Sequence, residues 1–242
     1  MKQYVTLFLF VFSFHLYSQD TTEHYLLPSK HQTFFGINFT PEFCSRMYNN
    51  TDGSQSTDET IKLFNELHVP KFGFTTGINF LIDLNKLLSL ETGLHYSNQG
   101  FGVKKIDLSS PITSSPIAAR GLLSAHYAEI PLKINFNISH KKTRYFLSIG
   151  ATSSFLVQTK YTTIYYYQNE QKKRISQETN GDINKFSISP TFGFGADFYL
   201  NDKSRLRVEP TFKFGLIPFL NGTQFNAYLW SSGINVCYYL GK

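Results

Sequence analysis

Three side chains in this sequence have the types and spacing to do hydrolytic chemistry together: Glu91, His95 and Glu209. Glu91 and His95 stand four residues apart, which in an extended chain puts both on one face. A carboxylate and an imidazole within reach of each other, with a second carboxylate beside them, are the equipment of general acid–base catalysis. The same types on neighbouring strands also build structural hydrogen-bond networks, and only alternation brings these three together. We read them as structural and expect no enzyme. The sequence holds no P-loop, no G-x-S-x-G and no H-E-x-x-H. Its two cysteines, Cys44 and Cys237, exclude a disulfide framework and a Cys-based zinc site. Asp52, Asp58 and Glu59 lack the spacing and glycine of a calcium loop and read as solvated acids. The stretch Tyr161–Glu178 (YTTIYYYQNEQKKRISQE) sets three consecutive tyrosines beside Lys172-Lys173-Arg174. It could grip acidic polysaccharide, lipopolysaccharide phosphates or a partner protein, or simply be a solvated loop with tyrosines at a membrane interface. No catalytic, cofactor-binding or metal-binding residue is assigned, and no cofactor is expected.

The elements that must position these residues are strands. The chain has 242 residues, with 24 Phe, 15 Tyr and 1 Trp, so aromatics make 17% and charged residues only 17%. A globular domain carries roughly 25% charged residues, yet the mean hydropathy of −0.21 is too low for a helical membrane protein. Abundant aromatics exclude disorder. Helical spacing is confined to Thr60–Leu67, room for two turns. Period-two alternation fills eight segments instead, about 34–44, 70–82, 87–97, 124–138, 144–157, 185–200, 204–217 and 227–240. Ahead of them, Met1-Lys2 and the apolar run Tyr4–Leu16 form a secretory signal peptide over residues 1–19, too short for the ~20 residues of a spanning helix. A short periplasmic segment (20–33) and a barrel domain (34–242) follow.

Charge placement decides which face of each strand is inside. The polar face carries Glu42, Glu91, Glu129, Lys133, Arg144, Asp197, Arg207, Glu209 and Lys213 among Gly, Ser, Thr and Asn. The apolar face carries no Asp, Glu, Lys or Arg in the strand cores. A soluble barrel exposes charge outside; hydrocarbon excludes it, since Lys or Arg at the bilayer midplane costs ~2–4 kcal/mol. The apolar face therefore meets lipid. Connections at 83–86, 139–143 and 201–203 are short, while those at 45–69, 98–123, 158–184 and 218–226 are longer. Short and long alternate strictly, as periplasmic turns and extracellular loops do in an outer-membrane barrel. Closure removes the sheet edges that lipid cannot tolerate. Pro41, Pro131, Pro190 and Pro210 fall inside these strands and are expected to mark bulges or strand ends. Segments 124–138 and 185–200 exceed the ~9–11 residues of a crossing and should project above the membrane.

An eight-stranded barrel has an interior that side chains fill. Five acids against four bases predict ion pairs plugging it, because buried charges must be paired; a selective pore would show rings of one sign. Cys44 and Cys237 both face the lumen but from opposite ends of adjacent strands, tens of Å apart at ~3.3 Å per residue, so free thiols are expected.

Phe35–Arg46 (FGINFTPEFCSR), Leu90–Phe101 (LETGLHYSNQGF), Tyr127–Phe136 (YAEIPLKINF) and Phe194–Leu200 (FGADFYL) resemble the Bacteroidota outer-membrane β-barrel domain often labelled PorT-like. The most specific piece is the Glu129–Ile134 strand, EIPLKI. The resemblance implies an eight-stranded antiparallel up-and-down barrel in the cell outer membrane and a possible link to type IX secretion. The expected function is a non-enzymatic barrel whose loops bind an envelope or surface partner, with a small uptake barrel or a barrel enzyme acting on lipid or peptide as alternatives. Expected partners are outer-membrane lipid and lipopolysaccharide, the barrel-assembly machinery during insertion and an envelope protein, with no nucleic acid.

Overall fold

The computed structural model describes residues 32–108, 115–138, 143–169, 171–179, 183–201 and 203–241. The expected signal peptide and most of the expected periplasmic segment lie outside the described residues. Eight long strands make the body: β1 (Gln32–Asn50), β2 (Lys71–Asp83), β3 (Leu88–Val103), β4 (Ala118–Asn137), β5 (Thr143–Tyr166), β6 (Phe186–Asn201), β7 (Ser204–Phe214) and β8 (Phe225–Gly241). Each pairs antiparallel with its neighbours in sequence, and β8 pairs with β1, so the sheet closes into a ring without an edge. The eight alternating segments of the sequence are these eight strands.

The alternation is faithful through the membrane. On β1, Phe35, Ile37, Phe39 and Phe43 point outward, while Asn38, Thr40, Glu42 and Cys44 are buried inside. On β4, Ile130, Leu132, Ile134 and Phe136 are outward, and Glu129, Lys133, Asn135 and Asn137 inward. Outward rings meet across strands, as Phe35–Phe80 at 5.5 Å and Phe43–Phe72 at 4.4 Å between centroids. A belt of this extent cannot face water on a soluble protein.

The prolines correct the expectation. None marks a register shift; those lie at His126/Tyr127 and Ser204/Arg205. Pro41, Pro131 and Pro210 instead remove rungs on one side while the register holds, and Pro190 stands at a ladder end as expected. The β1–β8 ladder passes from Phe39–Val236 to Glu42–Gly233, skipping Pro41. The β3–β4 ladder passes from Thr92–Leu132 to His95–Glu129 beside Pro131, and the β6–β7 ladder from Val208–Ala196 to Thr211–Gly193 beside Pro210. Pro190 stays paired with Ala151, one residue beyond the last β6–β7 rung at Thr191. A missing N–H cannot complete a rung, and a side chain can fill in: Thr92 Oγ1 donates to the Pro131 carbonyl at 2.8 Å.

The extracellular side is more ordered than a set of loops. β5, at 24 residues, is the longest strand, ahead of β4 at 20. Beyond the barrel rim it pairs with Lys172–Glu178, so most of the stretch read as the third long loop is a hairpin. The two-turn helix expected at Thr60–Leu67 is a 13-residue helix, α1 (Gln55–Leu67). Ser54 caps it by accepting the Thr57 N–H. Asp52 accepts the Ser54 N–H at 2.8 Å and the Thr57 hydroxyl at 3.0 Å. Asp52 thus serves the helix start, and Asp52, Asp58 and Glu59 are all exposed.

Candidate functional site

The lumen carries the polar chemistry of this chain, and strand parity puts it there. Its charges form tiers. Nearest the short turns, Arg207 grips Asp197 with two parallel bonds, Nε–Oδ1 at 2.7 Å and Nη2–Oδ2 at 2.9 Å. Arg144 bridges Asp197 at 2.9 Å and Asp83 at 3.3 Å. Arg205 lies over the Phe34 ring at 3.8 Å, with Asp83 and Asp197 each at 3.5 Å. Arg207 also reaches across to Glu91. In the middle, Lys133 joins Glu91 at 2.8 Å and Glu209 at 2.9 Å. Above, Lys213 sits between Glu42 and Glu129, both at 3.2 Å. Thr75 donates to Glu42, and Gln99 and Ser154 donate to Glu129. All nine lumen charges named from the sequence are buried inward.

The candidate catalytic set resolves into this network. Glu91 and Glu209 do converge, but onto the ammonium of Lys133, and both are fully buried. His95 bonds through Nε2 to Asn79 Oδ1 rather than to either glutamate. Two carboxylates held by a shared cation, away from solvent, are placed to bind that cation and not to move a proton to a substrate. Between the tiers lies a cavity of about 40 Å³, lined by Glu42, Glu91, His95, Glu129, Lys133 and Lys213 among others. At ~10–15 Å³ per water, it holds a few waters and nothing larger.

Buried apolar side chains occupy both ends of the lumen. At the short-turn end Phe34, Leu81 and Tyr239 pack as a buried cluster beneath Arg205 and Arg207. At the extracellular end Phe219 enters the mouth and packs with Phe101, Leu123, Ala125, Tyr127 and Leu229. Its position is fixed from both sides of the chain: its N–H donates to the Ala227 carbonyl at 2.7 Å, and its carbonyl accepts from the Asn184 N–H at 3.1 Å. Beside this stopper, His68 Nδ1 accepts from Arg46 Nε at 3.0 Å and lies 2.9 Å from the Tyr48 hydroxyl, and its ring stacks on Phe64 of α1. Burial, reinforced by the Arg46 charge, pushes the His68 imidazole down to about 4, so it is neutral near pH 7.

Sequence reasoning missed Asp83, one residue past the 70–82 segment, and Arg205, the second residue of the 204–217 segment, although the parity of both points inward. It also missed the stopper. Its signal was present in Leu216-Ile217-Pro218-Phe219-Leu220, an apolar run where a solvated loop should be polar. Cys44 and Cys237 are free and buried, as the topology predicts. Cys44 stands opposite Ser231 and Cys237 opposite Asn38, six residues apart along the ladder, or roughly 20 Å.

A closed antiparallel ring with a lipid-facing apolar belt, a charge-packed interior and one set of long connections defines an eight-stranded outer-membrane barrel. The chain belongs to the family of outer membrane protein β-barrel domains, whose pattern matches residues 22–221, and its location is the outer membrane. No curated protein matches the sequence. Among solved structures, the chain is similar to the outer membrane protein OprG from Pseudomonas aeruginosa, at 10% identity over 87% of this chain and 97% of that one, with a TM-score of 0.41. It is similar to the attachment invasion locus protein Ail of Yersinia pestis at 9% identity, over 86% and 99%, with a TM-score of 0.33. It is also similar to the outer membrane protease OmpT from Escherichia coli at 8% identity, over 93% and 99%, with a TM-score of 0.35.

Proposed function

We propose that this protein is a closed, non-enzymatic outer-membrane barrel whose extracellular elements are its working surface for an envelope or surface partner. One observation carries the reading: a lumen filled by paired charges is stoppered by Phe219 at one end and by Phe34, Leu81 and Tyr239 at the other. A conduit needs a path for its cargo, and a hydrolase needs carboxylates that substrate can reach. What is built outward is α1 and the long β5 hairpin. The resemblance to PorT-like barrels of Bacteroidota supports an accessory role in secretion within the same reading. Planar-bilayer recording on the refolded protein tests it. The expected trace shows no steady conductance; a stable unitary conductance from the wild-type chain would overturn the closed barrel.

A further inference from the structure

The β5 hairpin has two unlike faces. Residues paired across a rung share a face, and the rungs here are Ala118, Tyr166 and Lys172; then Arg120, Ile164 and Arg174; then Ser124, Lys160 and Glu178. Ala125 and Thr159, one residue along from Ser124 and Lys160, are buried toward the barrel interior. Alternation therefore turns Lys160, and every residue in phase with it, outward. Lys105 joins this face, its Nζ 4.8 Å from the centroid of the Tyr166 ring, and Lys172 approaches the same ring at 5.7 Å. The outward face thus gathers Lys105, Arg120, Lys160, Lys172 and Arg174. Among the described residues its acids are Asp107 and Glu178, and Glu178 is engaged by Gln158. Among the described residues, none of the five cations forms an ion pair, in contrast to the paired lumen.

The spacing is that of a clamp. Strands stand ~4.8 Å apart and alternate residues ~6.6 Å along a strand. Arg120 and Arg174, on either side of Ile164, are thus about 10 Å apart, with Lys172 about 7 Å from Arg174. These separations are near or inside the ~8 Å Debye length at 0.15 M salt, so the charges repel unless an anion lies among them. Guanidinium forks bind phosphate bidentately. The place of the face decides the source of that anion. The last lipid-facing side chains of β5 are Phe155 and Val157, and Lys160 follows three residues later. The cations begin about 10 Å along the strand from the apolar belt, at the level of lipid headgroups, and they face away from the barrel mouth.

We propose that this outward face clamps the phosphate groups of the glycolipid of the outer leaflet, with Arg120 and Arg174 as forks and Lys105, Lys160 and Lys172 as flanking charges. The inference rests on the extracellular elements being the working surface, and it names their partner as lipid. The test titrates the full-length protein, refolded in zwitterionic detergent, with lipid A bearing both phosphates and with its dephosphorylated form, followed by native mass spectrometry. The phosphorylated lipid is expected to bind at least about tenfold more tightly, with the preference shrinking as salt rises. A K105Q/R120Q/K172Q/R174Q variant should lose that preference while keeping the gel mobility of a folded barrel. Equal binding of the two lipids, or a preference that survives the four substitutions, would overturn the clamp. Dextran sulfate binding as tightly as the phosphorylated lipid would also overturn it, pointing to a soluble polyanion. Conductance of the same preparation separates the two readings. A conducting protein that keeps the phosphate preference refutes only the closed barrel, and a silent one without the preference refutes only the clamp.

Discussion

Replacing Lys213 by Met tests whether paired charges hold the lumen together. Lys213 is the cation shared by Glu42 and Glu129, which are 2% and 1% exposed. Removing one member of a buried pair costs about 3–5 kcal/mol because the other charge is left uncompensated. Here one deletion strands two carboxylates. Each keeps neutral donors, Thr75 for Glu42 and Gln99 with Ser154 for Glu129, which hold the expected loss near about 5 kcal/mol rather than twice the range. At a urea slope of about 2 kcal/mol per molar, the unfolding midpoint falls by about 2.5 M. The measurement is urea unfolding in lipid vesicles, followed by the mobility difference between unheated and heated protein. Adding Glu129→Gln to Lys213→Met removes one stranded charge and should recover about 2 kcal/mol. A Lys213→Met protein with the wild-type midpoint, or a double variant weaker than the single, would refute the account.

Acid should loosen the extracellular cap. The folded-state value of His68 is depressed, so the unfolded cap takes up the proton first. The stabilisation is full above about pH 6.5 and is lost as pH falls from there toward 4. Relative to the intrinsic exchange rate at each pH, protection of the Gln55–Leu67 amides should fall over that window, and His68→Phe should leave that protection independent of pH. Thiol titration should find Cys44 and Cys237 unreactive in the folded barrel and both reactive in urea; a disulfide between them in oxidised, folded protein would show the β1–β8 register to be wrong. Asp197→Asn leaves Arg144, Arg205 and Arg207 sharing fewer carboxylates, and should lower stability by about 3 kcal/mol or more in the same urea assay.

The membrane-embedded part of this fold was legible because hydrocarbon writes on the sequence with a period of two. Phe72, Phe74, Ile78 and Phe80 alternate with Gly73, Thr75, Gly77 and Asn79, and the inward placement of nine lumen charges followed from parity alone. Partner choice did not follow. That Glu91 and Glu209 meet on Lys133 depends on barrel diameter and shear, which no single strand records. Outside the membrane the period fades. Tyr161–Tyr166 and Lys172–Glu178 have water on or near both faces, so the hairpin shows in β-propensity and not in alternation. Gln55–Leu67 gave away only its last eight residues because Ser54 and Asp52, which start the helix, also read as ordinary loop residues. Pro41, Pro131 and Pro210 misled for a related reason: a lost N–H was equated with a shifted register, whereas the ladder drops rungs beside each and continues.

Some ion pairs of the lumen join neighbouring strands, as Lys133 with Glu91 and Arg207 with Asp197, but others cross the ring. Arg207 on β7 meets Glu91 on β3, the diametrically opposite strand, and Arg144 on β5 meets Asp83 on β2. Such spokes have no partners in an open sheet. A half-assembled barrel would hold bare carboxylates and guanidinium groups against lipid, at a cost of several kcal/mol apiece. Closure is therefore expected to accompany insertion, since Glu42 on the first strand meets its cation, Lys213, only once the seventh strand is in place.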